Sequence, residues 1–194
     1  MPVPKSKIAQ LTDPAQFNLR PQGSGAVLDL GCGNRKVAGA VGVDISADTD
    51  ADIVHNLDIR PWPLDDSSFD EVLLQDVIEH VAEPFQTMEE IHRVCRPGAI
   101  VQLRTPHFSS ALAYGDPTHR HYLSLAAVRS LADPGFAHYG AARFEVLSAR
   151  VDSWLPYRLL GIEAAANRWP DLYEQYLAFI FTSMNIRAVF RANK

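Results

Sequence analysis

Cysteine is scarce in this chain: Cys32 and Cys95 are the only two among 194 residues, and they form no CxxC pair. A disulfide framework is thereby excluded. Long apolar runs are missing as well. The N-terminal stretch MPVPKSKIAQLTDP lacks the apolar centre of a signal peptide. Near the C-terminus the longest apolar stretch, Leu177 to Phe181, is far too short to cross a bilayer. A reducing cytoplasm is the expected address, with no membrane span. An excess of base is also absent: 18 Lys and Arg stand against 23 Asp and Glu, a net charge of −5. This argues against a nucleic-acid footprint. Glycine (11) and proline (13) keep an ordinary share, and 47% of residues are hydrophobic, so a collagen-like or disordered chain is ruled out.

The small net charge hides a split. Residues 41–90 carry fourteen acids and one base, Arg60, while the rest of the chain carries seventeen bases and nine acids. An asymmetry of this size calls for a cause.

Along the chain, residues 1–25 read as an N-terminal arm whose Ile8, Leu11 and Phe17 could pack back over the remainder. Residues 26–194 read as one domain. Short apolar runs predict strands at 26–30, 40–45, 51–55, 69–77, 99–105 and 144–151, with a seventh at 184–191. Pro84 suits a first helical turn, and Phe85, Met88, Ile91 and Cys95 recur at helical spacing until Arg96-Pro97-Gly98. Ser124 suits a cap for a helix ending at Asp133-Pro134-Gly135. Residues 156–181 read as helical, Pro170 opening a second segment, within a cap spanning 153–183. Strands alternating with helices give a mostly parallel sheet, six- or seven-stranded, with helices on both faces. Only nine residues separate Leu30 from Ala40, fewer than a parallel crossover usually needs, so the first crossover must be shortened.

The first strand runs into Gly31-Cys32-Gly33-Asn34. A dinucleotide site would place a third glycine where Lys36 stands, and no GKS or GKT phosphate loop is present. Acids stand there instead. Asp29 precedes the first glycine by two residues, Asp44 ends the second strand, and Asp58 follows the third. An acid at the end of the second strand typically accepts ribose hydroxyls. Three acids at successive strand ends suit a ligand with a ribose, an amino group and a positive charge, and do not suit a pyrophosphate.

VLDLGCGN and GVDIS resemble the first two motifs of class I S-adenosylmethionine-dependent methyltransferases. The stretch Asn56-Leu57-Asp58 with WPLDDSSFD, then LQDVIEHV and RVCRPGAIVQLRTP, is similar to that family's later motifs, over roughly residues 26–106. The resemblance implies a Rossmann-like α/β fold, a small-molecule type of methyltransferase and S-adenosylmethionine as cofactor. It implies cofactor contacts at Asp29, Gly31, Cys32, Gly33, Asp44, Ile45, Asp58, Ile59 and Gln75. Asp44 would take the ribose hydroxyls, Asp58 the adenine amino group with Ile59 against the ring, and Gln75 would lie beside the methionine end. Cys32 reads as a small loop filler rather than a nucleophile. Ala99 departs from a frequent glycine.

The other concentration of chemistry is His107-Phe108-Ser109-Ser110 with Asp116-Pro117-Thr118-His119-Arg120-His121-Tyr122, an expected acceptor loop over 107–122. His107 leaves the fifth strand, where open α/β sheets place their chemistry. Three readings compete: an acceptor pocket with a histidine base, a loop pinned by its own side chains, or a metal site. As base, His119 is preferred, then His107, then His121. His80, Asp116, Arg120 and Tyr122 are the substrate candidates, His80 as a structural residue or a rim of the site. His55, His92 and His138 read as ordinary residues. No metal is assigned. The aromatics Trp154, Tyr157, Trp169, Tyr173 and Tyr176 read as core or as a lid. Arg104 and Arg120 flank the histidine segment, which favours an acidic or sugar-like small acceptor over a cationic one or a nucleic acid. Two other functions fit less: a non-catalytic cofactor-binding module, and a metal-dependent hydrolase using His107, Asp116, His119 and His121.

Overall fold

Seven strands carry the architecture in a computed structural model that describes residues 19–133, 135 and 142–194. They are β1 (Val27–Leu30), β2 (Val41–Asp44), β3 (Ile53–Val54), β4 (Phe69–Gln75), β5 (Cys95–Pro106), β6 (Phe144–Ser153) and β7 (Ser183–Ala192). Their order in the sheet is β3-β2-β1-β4-β5-β7-β6. The first five pair in parallel, and β7 runs antiparallel between β5 and β6. The order reverses between β1 and β4, so their carboxyl ends open a crevice, which is where open α/β sheets take their ligands. The expected seventh strand is present.

The helices are α1 (Pro84–Val94), α2 (Ala111–Gly115), α3 (Leu125–Ser130), α4 (Leu155–Leu159), α5 (Ile162–Arg168) and α6 (Pro170–Leu172), the last continuing into a wider turn over Tyr173–Leu177. Pro84 opens α1 in its first turn, where a missing N–H costs nothing. The Ser124 hydroxyl caps α3 by accepting from Ala127 N–H at 3.0 Å. Pro134, within the expected stop of that helix, lies outside the described residues, as do His138 and the arm residues Ile8, Leu11 and Phe17. Between β1 and β2 the crossover holds one short 3-10 turn, Gly33–Arg35. The chain is too short there for more.

The period of two along β1 and β4 sorts their side chains onto two faces. Leu28, Leu30, Val72 and Leu74 face a large core with Ile78, Met88, Ile91 and Val94. The three α1 residues recur at helical spacing and have no exposed surface. Val27 and Leu73 face the other way, into a small cluster with Leu19, Val37 and Ala40. Polar residues on the neighbouring strands hold the arm across that second face. Leu19 N–H donates to Gln75 Oε1 at 2.8 Å, Gln102 Nε2 donates to the Arg20 carbonyl at 2.7 Å, and Gln22 N–H donates to Glu71 Oε2 at 2.9 Å. Residues 19–22 are thus a strap over the strands that flank the crevice.

The α4–α6 region lies against β6 and leaves much apolar surface in water. Of its aromatics Tyr173 is buried, whereas Trp169 and Tyr176 are exposed. No helix among the described residues is long and apolar enough to cross a membrane.

Candidate active site

The turn after β1 is bent by Gly31 and Gly33, at φ +62° and +53°. Side chains rarely adopt that region, which is why glycines stand there. The turn is pinned to β2: Gly31 N–H donates to the Val43 carbonyl at 2.7 Å, and Gly33 N–H donates to Asp44 Oδ2 at 2.9 Å. Asp44 Oδ1 accepts from Ser46 N–H at 2.9 Å. Each carboxylate oxygen keeps a second lone pair for a ligand hydroxyl. Asp29 is buried beneath the turn and accepts from Val37 N–H at 2.8 Å; burial pushes its carboxyl above the usual range. Burial, then the charges of Asp29 and Asp44, push the Cys32 thiol up to about 11, so it stays protonated and fills space.

Two cavities meet at this turn. One, of about 310 Å³, is lined by Gly31, Asp44, Ile45, Leu57, Asp58, Asp76 and His80 among others. The second, of about 390 Å³, is lined by Leu19, Arg20, Asp29, Cys32, Gly33 and Gln75, and also by Gly31 and Asp76. Asp76 therefore sits between them, at φ +59°, a left-handed conformation that a non-glycine residue holds only when its surroundings enforce it. Arg104 supplies part of that enforcement. Its guanidinium grips the Asp76 carboxylate from two nitrogens, and its carbonyl accepts from Asp76 N–H at 2.9 Å.

This donor set fits S-adenosylmethionine. The first cavity offers carboxylates beside apolar Ile45 and Leu57, as an adenosine requires. The second offers Asp29 and Gln75 with the cation Arg20, as an amino acid's two charged ends require. Of the expected cofactor residues, Ile59 alone lies on neither wall; it is exposed, and Ile45 and Leu57 supply the apolar surface instead. Asp58 is already engaged. Its Oδ1 accepts from Ala82 N–H at 2.7 Å, and its Oδ2 pairs with Arg120 at 3.3 Å. Arg120, expected on the acceptor, thus borders the adenosine side.

The histidine segment divides. His107 has no exposed surface. Ser109 N–H donates to its Nδ1 at 3.2 Å, which places the ring proton on Nε2, 3.1 Å from Glu174 Oε1. Glu174 also accepts from Leu125 N–H at 2.5 Å. His107 therefore belongs to a buried joint between β5, α3 and the helical cap, out of reach of an acceptor. His121 donates from Nε2 to the Val81 carbonyl at 2.9 Å and holds the loop. His119 is half-buried and donates from Nδ1 to the Ala113 carbonyl at 2.7 Å, leaving Nε2 available. Its ring lies edge-on to His80, centroids 4.6 Å apart. Asp116 accepts from the Thr118 amide and hydroxyl, which hold its carboxyl below the usual range. Tyr122 stacks on Tyr114 at the surface.

The Glu174 joint gives a stability prediction. Glu174→Ala leaves two buried donors without an acceptor and should cost about 2–4 kcal/mol in urea unfolding at neutral pH. Burial alone would raise the Glu174 carboxyl, but the hydrogen bonds from His107 and Leu125 N–H outweigh it and hold the group below the ordinary range. A depressed folded value means the contribution is complete above that range and is lost as pH falls through the folded value. The gap between wild type and variant should therefore narrow in acid.

Sequence reasoning missed Arg20, Asn34, Arg35, His55 and Asn56 as wall residues, and Glu79 as a neighbour of the histidines. A lone arginine ahead of β1 carries no local signal of its place. Glu79 does stand next to His80 in the chain, a pair that could have been read together.

A doubly wound sheet with a glycine turn and carboxylates at its switch point defines a nucleoside-binding α/β protein. Residues 23–103 match the family described as methyltransferase domain. A chain from the complex between the Haloferax volcanii Trm112 methyltransferase activator and a methyltransferase shares the fold at 19% identity and TM-score 0.61, covering 98% of this chain and 92% of that one. An S-adenosylmethionine-dependent methyltransferase from Mesorhizobium loti does so at 16% identity and TM-score 0.59, covering 92% and 96%. The [4+2]-cyclase SpnF does so at 19% identity and TM-score 0.56, covering 97% and 80%. No curated protein matches the sequence. Residues 23–103 thus match a methyltransferase-domain family, the chain shares the Rossmann-like α/β fold of S-adenosylmethionine-dependent methyltransferases, and S-adenosylmethionine is the cofactor that this match and fold imply.

Proposed function

We propose that this chain methylates a small-molecule acceptor, acidic or sugar-like, bound beside the histidine loop. The observation that carries this reading is the junction of two cavities at Gly31 and Asp76, one of them walled in part by His80 and by Arg120 of the 107–122 loop. When bound, the cofactor supplies a methyl group on a sulfonium, already activated for displacement. The protein's work is then positional and electrostatic. Asp44 holds the ribose, Asp29 and Gln75 hold the methionine end, and Asp76, locked by Arg104, fixes the wall between the two ends. Arg120, paired with Asp58, braces the adenosine side of the first cavity and is not assigned to the acceptor. His119, with its Nε2 open, is the residue assigned to act on the acceptor's proton.

Incubating the full chain with methyl-labelled S-adenosylmethionine and fractionated metabolites tests the reading. Label should enter a low-mass fraction. With that acceptor, His119→Ala should lower kcat at least 100-fold while cofactor affinity stays within twofold. Label found only in protein or RNA would overturn the small-molecule assignment. No transfer in any fraction would favour a cofactor-binding module without methyl transfer; the likeness to a cyclase illustrates that this fold alone does not fix a reaction.

A further inference from the structure

Glu79, His80 and His119 come together although 38 residues of chain separate His80 from His119. The cause is a backbone contact: the Glu79 carbonyl accepts from Arg120 N–H at 2.8 Å and from His121 N–H at 3.2 Å. This hangs the histidine loop from the end of the β4 turn and sets His119 beside His80. One ligand atom from each of Glu79, His80 and His119 lies within 4.8 Å of the others.

The state of each ligand atom is prepared by its neighbours. Glu79 is 1% exposed. Its Oε2 accepts from the Thr105 hydroxyl at 3.0 Å, while its Oε1 is buried with no hydrogen-bond partner. A buried carboxylate oxygen left unpaired is costly, and a native fold seldom keeps one without a use. The Thr118 hydroxyl gives its single proton to Asp116 Oδ1 at 2.6 Å, so the same oxygen, 3.0 Å from His80 Nδ1, accepts from that ring. His119 Nδ1 donates to the Ala113 carbonyl. Both rings therefore carry their proton on Nδ1 and present a lone pair on Nε2. A ring N–H held by a carbonyl or a carboxylate-linked group is the arrangement that orients metal-ligating histidines. Arg104, the cation on the neighbouring strand, is paired with Asp76.

We propose that Glu79, His80 and His119 ligate a first-row divalent transition-metal cation of the zinc class. Two imidazoles and one carboxylate select such a cation over calcium or magnesium, and three protein ligands leave coordination positions open. These are not the ligands the sequence suggested. His107 and His121 are engaged elsewhere and Asp116 serves as a supporting group, so His119 alone carries over. His80 also lines the 310 Å³ cavity, so a cation it holds borders that cavity. On the methyltransferase reading, on which this last step rests, the open positions select an acceptor with an ionisable oxygen. As a ligand, His119 acts on the acceptor's proton through the cation instead of taking it.

The test uses the full chain, stripped with chelator and titrated at pH 7.5 with Zn2+ by calorimetry and with Co2+ by visible absorption. One equivalent should bind, with Co2+ bands of low-coordinate N/O ligation. His80→Ala and His119→Ala should each weaken Zn2+ binding at least 100-fold while circular dichroism stays native. Glu79→Gln, which keeps the size of the side chain, should alter the Co2+ spectrum. A Zn2+ Kd weaker than 1 mM, or one equivalent that survives both histidine substitutions, overturns the site. Calorimetry with S-adenosylmethionine on the same samples separates the two readings. Cofactor binding without metal binding removes the metal site alone; metal binding without cofactor binding removes the methyltransferase reading alone.

Discussion

Asp44→Ala should abolish measurable binding of S-adenosylmethionine, an affinity loss of at least 100-fold by calorimetry, with the protein still folded. The size follows from two losses at one residue. A carboxylate that accepts two ribose hydroxyls contributes about 1.5–3 kcal/mol per charged hydrogen bond. The same carboxylate accepts from Gly33 and Ser46 N–H, so its removal also frees the glycine turn that both cavities share. Asp44→Asn separates the effects: its single carbonyl oxygen can keep one of these acceptor roles, and an intermediate loss of about tenfold is expected. Unchanged affinity in Asp44→Ala would remove the cofactor assignment at its firmest point.

Gly31→Ala should damage both the fold and the cofactor site. Gly31 sits at φ +62°, and a Cβ there would lie 2.5 Å from Val77 Cγ2. The backbone cost is about 1 kcal/mol and the overpacking against a buried valine about 1–3 kcal/mol more. A fall of about 2–4 kcal/mol in unfolding free energy is expected, together with loss of cofactor binding, because the turn borders both cavities. Gly33→Ala is the contrast. Its φ is +53°, but a Cβ meets nothing within 4 Å. That methyl should cost about 1 kcal/mol in stability and still lower cofactor affinity, since the open space is on the wall of the second cavity. Equal destabilisation by the two substitutions would contradict the geometry.

Those two glycines and three acids were legible in the sequence because their signal is local. A buried strand reads as a continuous apolar run, its end as a glycine, and the acid beyond it needs no distant partner to be recognised. The shortened crossover was legible for the same reason, since it depends only on the count of residues between Leu30 and Ala40. The histidines were not, because their surroundings are set by distant chain. His107 follows a strand like a residue of an open site, yet Glu174, 67 residues later, closes over it. Arg120 reads as an acceptor contact, yet it reaches back 62 residues to Asp58. His119 meets His80 through two backbone bonds to the Glu79 carbonyl, a contact to which no side-chain pattern points.

Gln75 holds the strap at residues 19–22 and also walls the cavity assigned to the methionine end, beside Leu19 and Arg20 from the strap itself. Two equilibria therefore share one side chain. Closing the strap and filling the cavity are linked functions, and linkage is reciprocal: by whatever factor an ordered strap raises cofactor affinity, bound cofactor raises the population of ordered strap. The segment before the first strand is in this sense a component of the binding constant.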